Sequence, residues 1–244
     1  MKRDYAPVLP GQGGTDYARY MRTDTLLDLQ RRPEEMIHRD ELLFQVVHQS
    51  AELWLKLAAA ELTEATARVE ADAPGEAELL LTRAVLSVRF VTDQLDMFRY
   101  LSPADFQAMQ PALGNGSGAE SPGWKQAQAA SRKLGQAFGD LLARRRLDLT
   151  TLYCGSPADP VHRLAEAMLD WDERVSLWRA RHYRIALRIG SHPVAGTRGS
   201  AATTLAKLAD HRFYPELWQA RADHATGRTT DGDAARPSGP DGTR

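Results

Sequence analysis

No glycine or proline occurs between Pro33 and Pro74. That gap is the strongest constraint on the fold. Within it the apolar residues recur at helical spacing, and the pattern predicts one long helix from about Arg39 to Ala71. Asp40 and Glu41 lie at its start and Lys56 further along, the order that the helix dipole favours. Phe44, His48, Ala51 and Leu55 follow i, i+4, i+7, i+11, so a histidine sits in an apolar stripe. Two readings are open: a core histidine with one satisfied hydrogen bond, or a histidine held in an apolar pocket to meet a ligand.

The helix must end at Asp72-Ala73-Pro74-Gly75, and a second is predicted from about Glu76 to Tyr100. Leu79, Leu80, Ala84, Leu86, Val88, Phe90, Val91, Leu95 and Phe98 make it apolar around much of its circumference, as in a helix buried among others. Two such helices joined by a Pro-Gly turn form an antiparallel hairpin. Further helices are expected at about 15–30, after Ser102-Pro103, at 124–146 and at 160–189, with Gly190 as a cap. No convincing strand alternation and no internal repeat is found. The expectation is an all-α bundle of long antiparallel helices in one domain at 15–225. An extended arm at 1–14 precedes it, and a Gly/Pro/Asp-rich disordered tail at 226–244 follows.

Composition narrows the function classes. A net charge of −1 argues against general nucleic-acid binding. The single cysteine, Cys154, excludes an intrachain disulfide or a cysteine-rich metal site and fits a reducing cytoplasm, the expected compartment. No apolar run is long enough to span a membrane, and the N-terminus lacks the apolar core of a secretory signal.

A second histidine repeats the pattern. His182 shares a face with Trp178, Ile185 and Ile189, beside a basic stripe of Arg181, Arg184 and Arg188. An imidazole from an apolar face with guanidinium groups alongside suits an iron porphyrin, the ring ligating iron and the arginines meeting propionates. A buried histidine next to a solvated basic face fits these residues as well.

Six stretches, in order, resemble one family. They are Asp16-Tyr17-Ala18-Arg19-Tyr20-Met21; Asp40-Glu41-Leu42-Leu43-Phe44 through His48-Gln49 and Glu52-Leu53-Trp54; Thr92-Asp93-Gln94-Leu95 through Ser102-Pro103-Ala104-Asp105-Phe106; Trp178-Arg179-Ala180-Arg181-His182 through Arg188-Ile189-Gly190; Gly196-Thr197-Arg198-Gly199-Ser200; and Pro215-Glu216-Leu217-Trp218. Over residues 10–222 the chain resembles the tryptophan 2,3-dioxygenase superfamily of histidine-ligated haem enzymes. The resemblance implies an all-helical haem b enzyme, a homotetramer that takes an indole amino acid and dioxygen. It assigns His182 as the proximal iron ligand, His48 as the distal histidine on the indole-nitrogen side and Phe44 as an aromatic wall. Tyr17, Tyr20 and Met21 fall at residues donated by a neighbouring subunit, and Thr197 at a contact to the substrate's ammonium and carboxylate.

The chain departs from that pattern where the substrate carboxylate should bind. Gln110 stands where the family has an arginine, and Phe106 replaces a tyrosine one turn before. Loss of a charge-assisted, bidentate contact removes roughly 1.5–3 kcal/mol of binding unless something replaces it. The loop Ser117-Gly118-Ala119-Glu120-Ser121 lacks the family's aromatic, and Arg198 stands where the family has glycine, offering a positive charge from the other side. These departures point to a divergent member acting on tryptophan or a derivative such as β-methyltryptophan. The expected product is monooxygenated, of the 2-oxindole type, with an ordinary dioxygenase forming N-formylkynurenine as the alternative.

Overall fold

The computed structural model describes residues 9–114, 116, 118–190 and 211–227. Among them the chain is helical, with no strand. Four long helices carry the fold: α3 (Glu41–Glu70), α4 (Pro74–Asp93), α6 (Pro122–Arg145) and α8 (Pro160–Arg188). Shorter ones are α1 (Asp16–Met21), α2 (Thr23–Leu26), α5 (Pro103–Leu113), α7 (Leu149–Cys154) and α9 (Pro215–Ala225). The 30 residues of α3 span about 45 Å. It stops because Asp72 turns left-handed, with φ 60°, and Pro74 then opens α4.

Helix α3 packs along both α4 and α6, and α4 also along α8. The seam follows from the α3 sequence. Leu55, Leu62 and Val69 recur every seven residues, with Ala58 and Ala65 between them, and all five are buried. Alanines on the partners, Ala77, Ala84 and Ala127, are fully enclosed and let the backbones approach. Helices α6 and α8 make little direct backbone contact. The space between them is filled by Trp171, whose Nε1–H donates to Ser131 Oγ at 3.0 Å, and by Tyr214, whose hydroxyl donates to the Ser131 carbonyl at 3.1 Å.

A buried carboxylate fastens the segment that enters α9. Asp172 on α8 is 1% exposed. It accepts from the N–H groups of Phe213 (2.9 Å) and Tyr214 (3.2 Å) and from Trp218 Nε1–H (3.0 Å). Two helical turns further on, buried Arg179 donates to the His211 carbonyl at 2.7 Å and lies over the Phe213 ring.

Three local expectations change. The first predicted helix is broken at Arg22, which is left-handed with φ 53°. Neither α1 nor α2 buries a residue, so no packing sustains a longer helix, and short helices are marginal on their own. The second long helix tightens to a 3-10 turn over Gln94–Tyr100. Residues three apart eclipse in that geometry, which turns Leu95, Phe98 and Leu101 inward together. The connection after Arg146 contains α7, started by Asp148, whose Oδ1 accepts from Thr151 N–H at 2.7 Å. The start of α5 is as read from sequence: Ser102 Oγ accepts from Asp105 N–H at 3.1 Å and Pro103 opens the helix. The arm and the tail lie mostly outside the described residues.

Candidate functional site

A second, smaller apolar cluster lies at the end of the bundle where α3 begins and α8 ends. It joins Val47, Leu95, Phe98, Leu101, Phe106, Met109, Ile185 and Ile189, with Phe44 and Trp178 packed against it. This cluster supports both histidines. Gly190 closes it with φ +74°, a conformation that suits glycine, and an added Cβ there would meet Pro103 at 3.2 Å.

The His48 ring stacks on Phe44 one turn earlier, with centroids 4.1 Å apart, and faces Phe98 at 5.7 Å. Phe44 in turn lies 6.3 Å from Phe106, so the four rings form one aromatic wall. His48 is not sealed in the core; part of it stays exposed. Its Nδ1 lies 2.8 Å from the Phe44 carbonyl oxygen. A carbonyl only accepts, so Nδ1 carries the proton and Nε2 presents a lone pair. Packing against the rings lowers the His48 pKa, opposed by the Phe44 carbonyl and by the charge of Glu52 one turn on. The ring is therefore neutral at pH 7.

His182, on α8, stacks almost parallel on Trp178, with 5.1 Å between centroids and 6° between planes. Trp178 is backed by Trp124 of α6 at 4.1 Å. Burial lowers the His182 pKa to about 4, and the positive charge that His48 can carry adds to the shift. His182 Nδ1 and Trp178 Nε1 are both buried with no hydrogen-bond partner among the described residues.

This donor set fits an iron porphyrin. Iron needs an uncharged imidazole, and His182 is one. Among the described residues no group of three or more His, Cys, Asp or Glu side chains is placed to hold a bare ion. A single axial histidine is what a porphyrin asks of the protein, since the macrocycle supplies the other donors. The aromatic walls match the apolar body of the ring. Of the basic stripe, Arg181 is taken by an ion pair with Asp96. Arg184 and Arg188 remain exposed.

The other candidate residues are placed unevenly. Phe106 is buried in the aromatic wall, whereas Gln110 is exposed on α5, a helix with no basic residue. Tyr17, Tyr20 and Met21 are exposed on α1 and touch no core of their own chain. Thr197 and Arg198 lie outside the described residues. A cavity of about 480 Å³ opens beside the start of α3, lined by Leu43, Val46, Val47, Ser50, Gln94 and Met97 among others and by neither histidine. Glu52 stands in the second of the matching stretches with no role assigned to it there, and Trp124 is not singled out by the sequence. The signal available for Glu52 was its position four residues after His48.

Comparison with known proteins bears on the family of the chain. The family model described as Tryptophan 2,3-dioxygenase matches residues 4–148, which covers α1 to α6 and stops before His182. A tryptophan 2,3-dioxygenase of Polaromonas sp. is 31% identical over 260 residues, covering 85% of this chain and 87% of the relative. That of Myxococcus xanthus is 28% identical over 278 residues, covering 91% of this chain and 94% of the relative. That of Rhodococcus jostii is 29% identical, covering 85% and 91%.

Proposed function

We propose, starting from the fact that the chain belongs to the tryptophan 2,3-dioxygenase family and is a haem-dependent oxygenase, that it oxidises the indole C2/C3 of tryptophan or a modified tryptophan. The observation that carries this reading is a pair of histidines with lowered pKa, His48 stacked on Phe44 of α3 and His182 stacked on Trp178 of α8, whose supporting rings pack against one apolar cluster.

Haem b, when bound, supplies the activation of dioxygen. His182 would hold its iron through a ring nitrogen, with the ring plane fixed by Trp178. His48 would meet the substrate. With Nδ1–H committed to the Phe44 carbonyl, its free Nε2 accepts a hydrogen bond from the indole N–H. That bond sets which edge of the indole faces the oxidant. It also leaves His48 able to take the indole proton as charge develops, and its lowered pKa keeps it unprotonated for the task. Phe44, Phe98 and Phe106 exclude water around the reacting ring.

The carboxylate end of the substrate supports a divergent member. No cation stands on α5, and Phe106 offers no hydroxyl. We assign the carboxylate to Arg198 and Thr197. Arg198→Ala should raise KM about tenfold or more, in line with roughly 1.5–3 kcal/mol for a charge-assisted bond. An unchanged KM would overturn that assignment. A site so altered favours a β-substituted tryptophan and insertion of one oxygen, giving a 2-oxindole-type product.

The deciding assay is product mass from tryptophan and from β-methyltryptophan, with oxygen and reductant present. One added oxygen supports the monooxygenase; two added oxygens establish the alternative, N-formylkynurenine formation. Exposure of Tyr17, Tyr20 and Met21 supports a homotetramer in which each arm completes a neighbour's pocket. Light scattering that gives a fully active monomer would refute it.

A further inference from the structure

Glu52 lies one turn beyond His48 on α3, and both of its carboxylate oxygens are used at the start of α6. Oε1 accepts from Ser121 Oγ at 2.5 Å, and Oε2 accepts from Gly123 N–H at 2.9 Å. Ser121 Oγ is itself the cap of α6 and accepts from Trp124 N–H at 3.1 Å. A carboxylate at this place also meets the positive end of the helix dipole. The fit depends on glycine at 123. A Cβ there would lie 2.6 Å from Glu52 Oε2 and 2.7 Å from Leu55 Cβ. The register between α3 and α6 is therefore fixed at this point.

The next residue, Trp124, carries the constraint across the site. It is buried and lies 4.1 Å from Trp178, which lies nearly parallel to His182 at 5.1 Å. A ligating histidine is normally oriented by a hydrogen bond from its second nitrogen. Here Nδ1 of His182 finds no partner among the described residues. Stacking takes over that role, and the stack is seated by the start of α6.

We infer that Glu52 is a positioning residue for His182, acting through Ser121, Gly123 and the Trp124–Trp178 stack. One helix then presents His48 to the substrate and, a turn later, the carboxylate that sets the plane of the opposite histidine. The consequence for iron rests on the haem reading above; the stacking itself does not.

Two readouts test it, on Glu52→Leu, Glu52→Gln and Trp178→Leu variants of the full chain. The first is the near-ultraviolet circular dichroism of the coupled indoles in haem-free protein. Glu52→Leu should lose at least half of the Trp124–Trp178 signal. Glu52→Gln keeps an acceptor for Gly123 N–H and should retain most of it. The second is the Soret band of the reduced, haem-loaded protein. It should shift or broaden in Glu52→Leu as in Trp178→Leu, with no further change in the double variant, because both act through one stack. Should Glu52→Leu fail to fold, the double variant Glu52→Gln, Ser121→Ala keeps the shape, removes the charge and the hydroxyl, and should lose the indole signal. An intact indole signal in Glu52→Leu or, where that variant does not fold, in the Glu52→Gln, Ser121→Ala double variant, or Soret effects of Glu52→Leu and Trp178→Leu that add, overturns the inference. Wild-type protein with no Soret band would refute the haem reading instead, and the indole comparison would still decide the seating of the stack.

Discussion

Asp172→Ala isolates a single buried carboxylate whose removal strands several donors at once. Its oxygens accept from Phe213 N–H, Tyr214 N–H and Trp218 Nε1–H, at 2.9–3.2 Å. Each buried donor left without a partner costs about 1–3 kcal/mol. The upper sum is not reached, because the segment entering α9 can turn partly toward water. A loss of about 3–5 kcal/mol is expected on that argument. For a chain of this size about 1 kcal/mol moves the unfolding midpoint by about 2–4 °C, so the midpoint should fall by roughly 6–20 °C. Asp172→Asn separates shape from charge: its amide oxygen can still accept, but its NH2 group faces a donor. It should therefore fall between wild type and alanine. The assay is thermal unfolding followed by circular dichroism, with tryptophan fluorescence reporting Trp218. If Asp172→Ala unfolds within a degree of wild type, the clamp is not what holds α9 to the bundle.

Three further predictions follow from other contacts. Burial depresses the His182 pKa to about 4 from an ordinary 6.5, so between those values the unfolded chain binds the extra proton; stability is fully present above about pH 6.5 and is lost as pH falls toward 4. Haem-free protein should show a loss of about 2–3 kcal/mol across that window in urea titrations, and His182→Leu should flatten the slope. Gly123→Ala places a methyl group 2.6 Å from Glu52 Oε2 and 2.7 Å from Leu55 Cβ, and should cost about 1–3 kcal/mol in the same titrations; an unchanged midpoint would mean that the α3–α6 contact gives way easily. His182→Ala should abolish the Soret band while leaving the helical signal in place, and an unchanged band would move the iron ligand elsewhere.

Much of the framework is legible in the sequence. Helix positions follow from hydrophobic period and from local breakers such as Pro74, Ser102-Pro103 and Gly190, which act within a few residues of themselves. The two histidines could be singled out for the same reason, since each sits in an apolar stripe on its own helix. What each meets was not legible. His48 was open to two readings until the aromatic wall of Phe44, Phe98 and Phe106 placed it at an open edge, with its Nδ1 committed and its Nε2 free. Those rings come from α3, from a 3-10 turn and from α5, and no local pattern relates them.

The sequence by itself determined the four long helices, their order and the pairing of α3 with α4, because these depend on spacing along the chain. It misjudged the first helix, where Arg22 breaks a pattern that no packing supports. Only the tertiary structure decided that Asp172 and Arg179 fasten the segment leading into α9, and that Glu52 meets Gly123 across 71 positions of sequence. Such contacts depend on the angle and register of packed helices. Register is set by the sum of many side-chain volumes, and no single stretch of this chain encodes that sum.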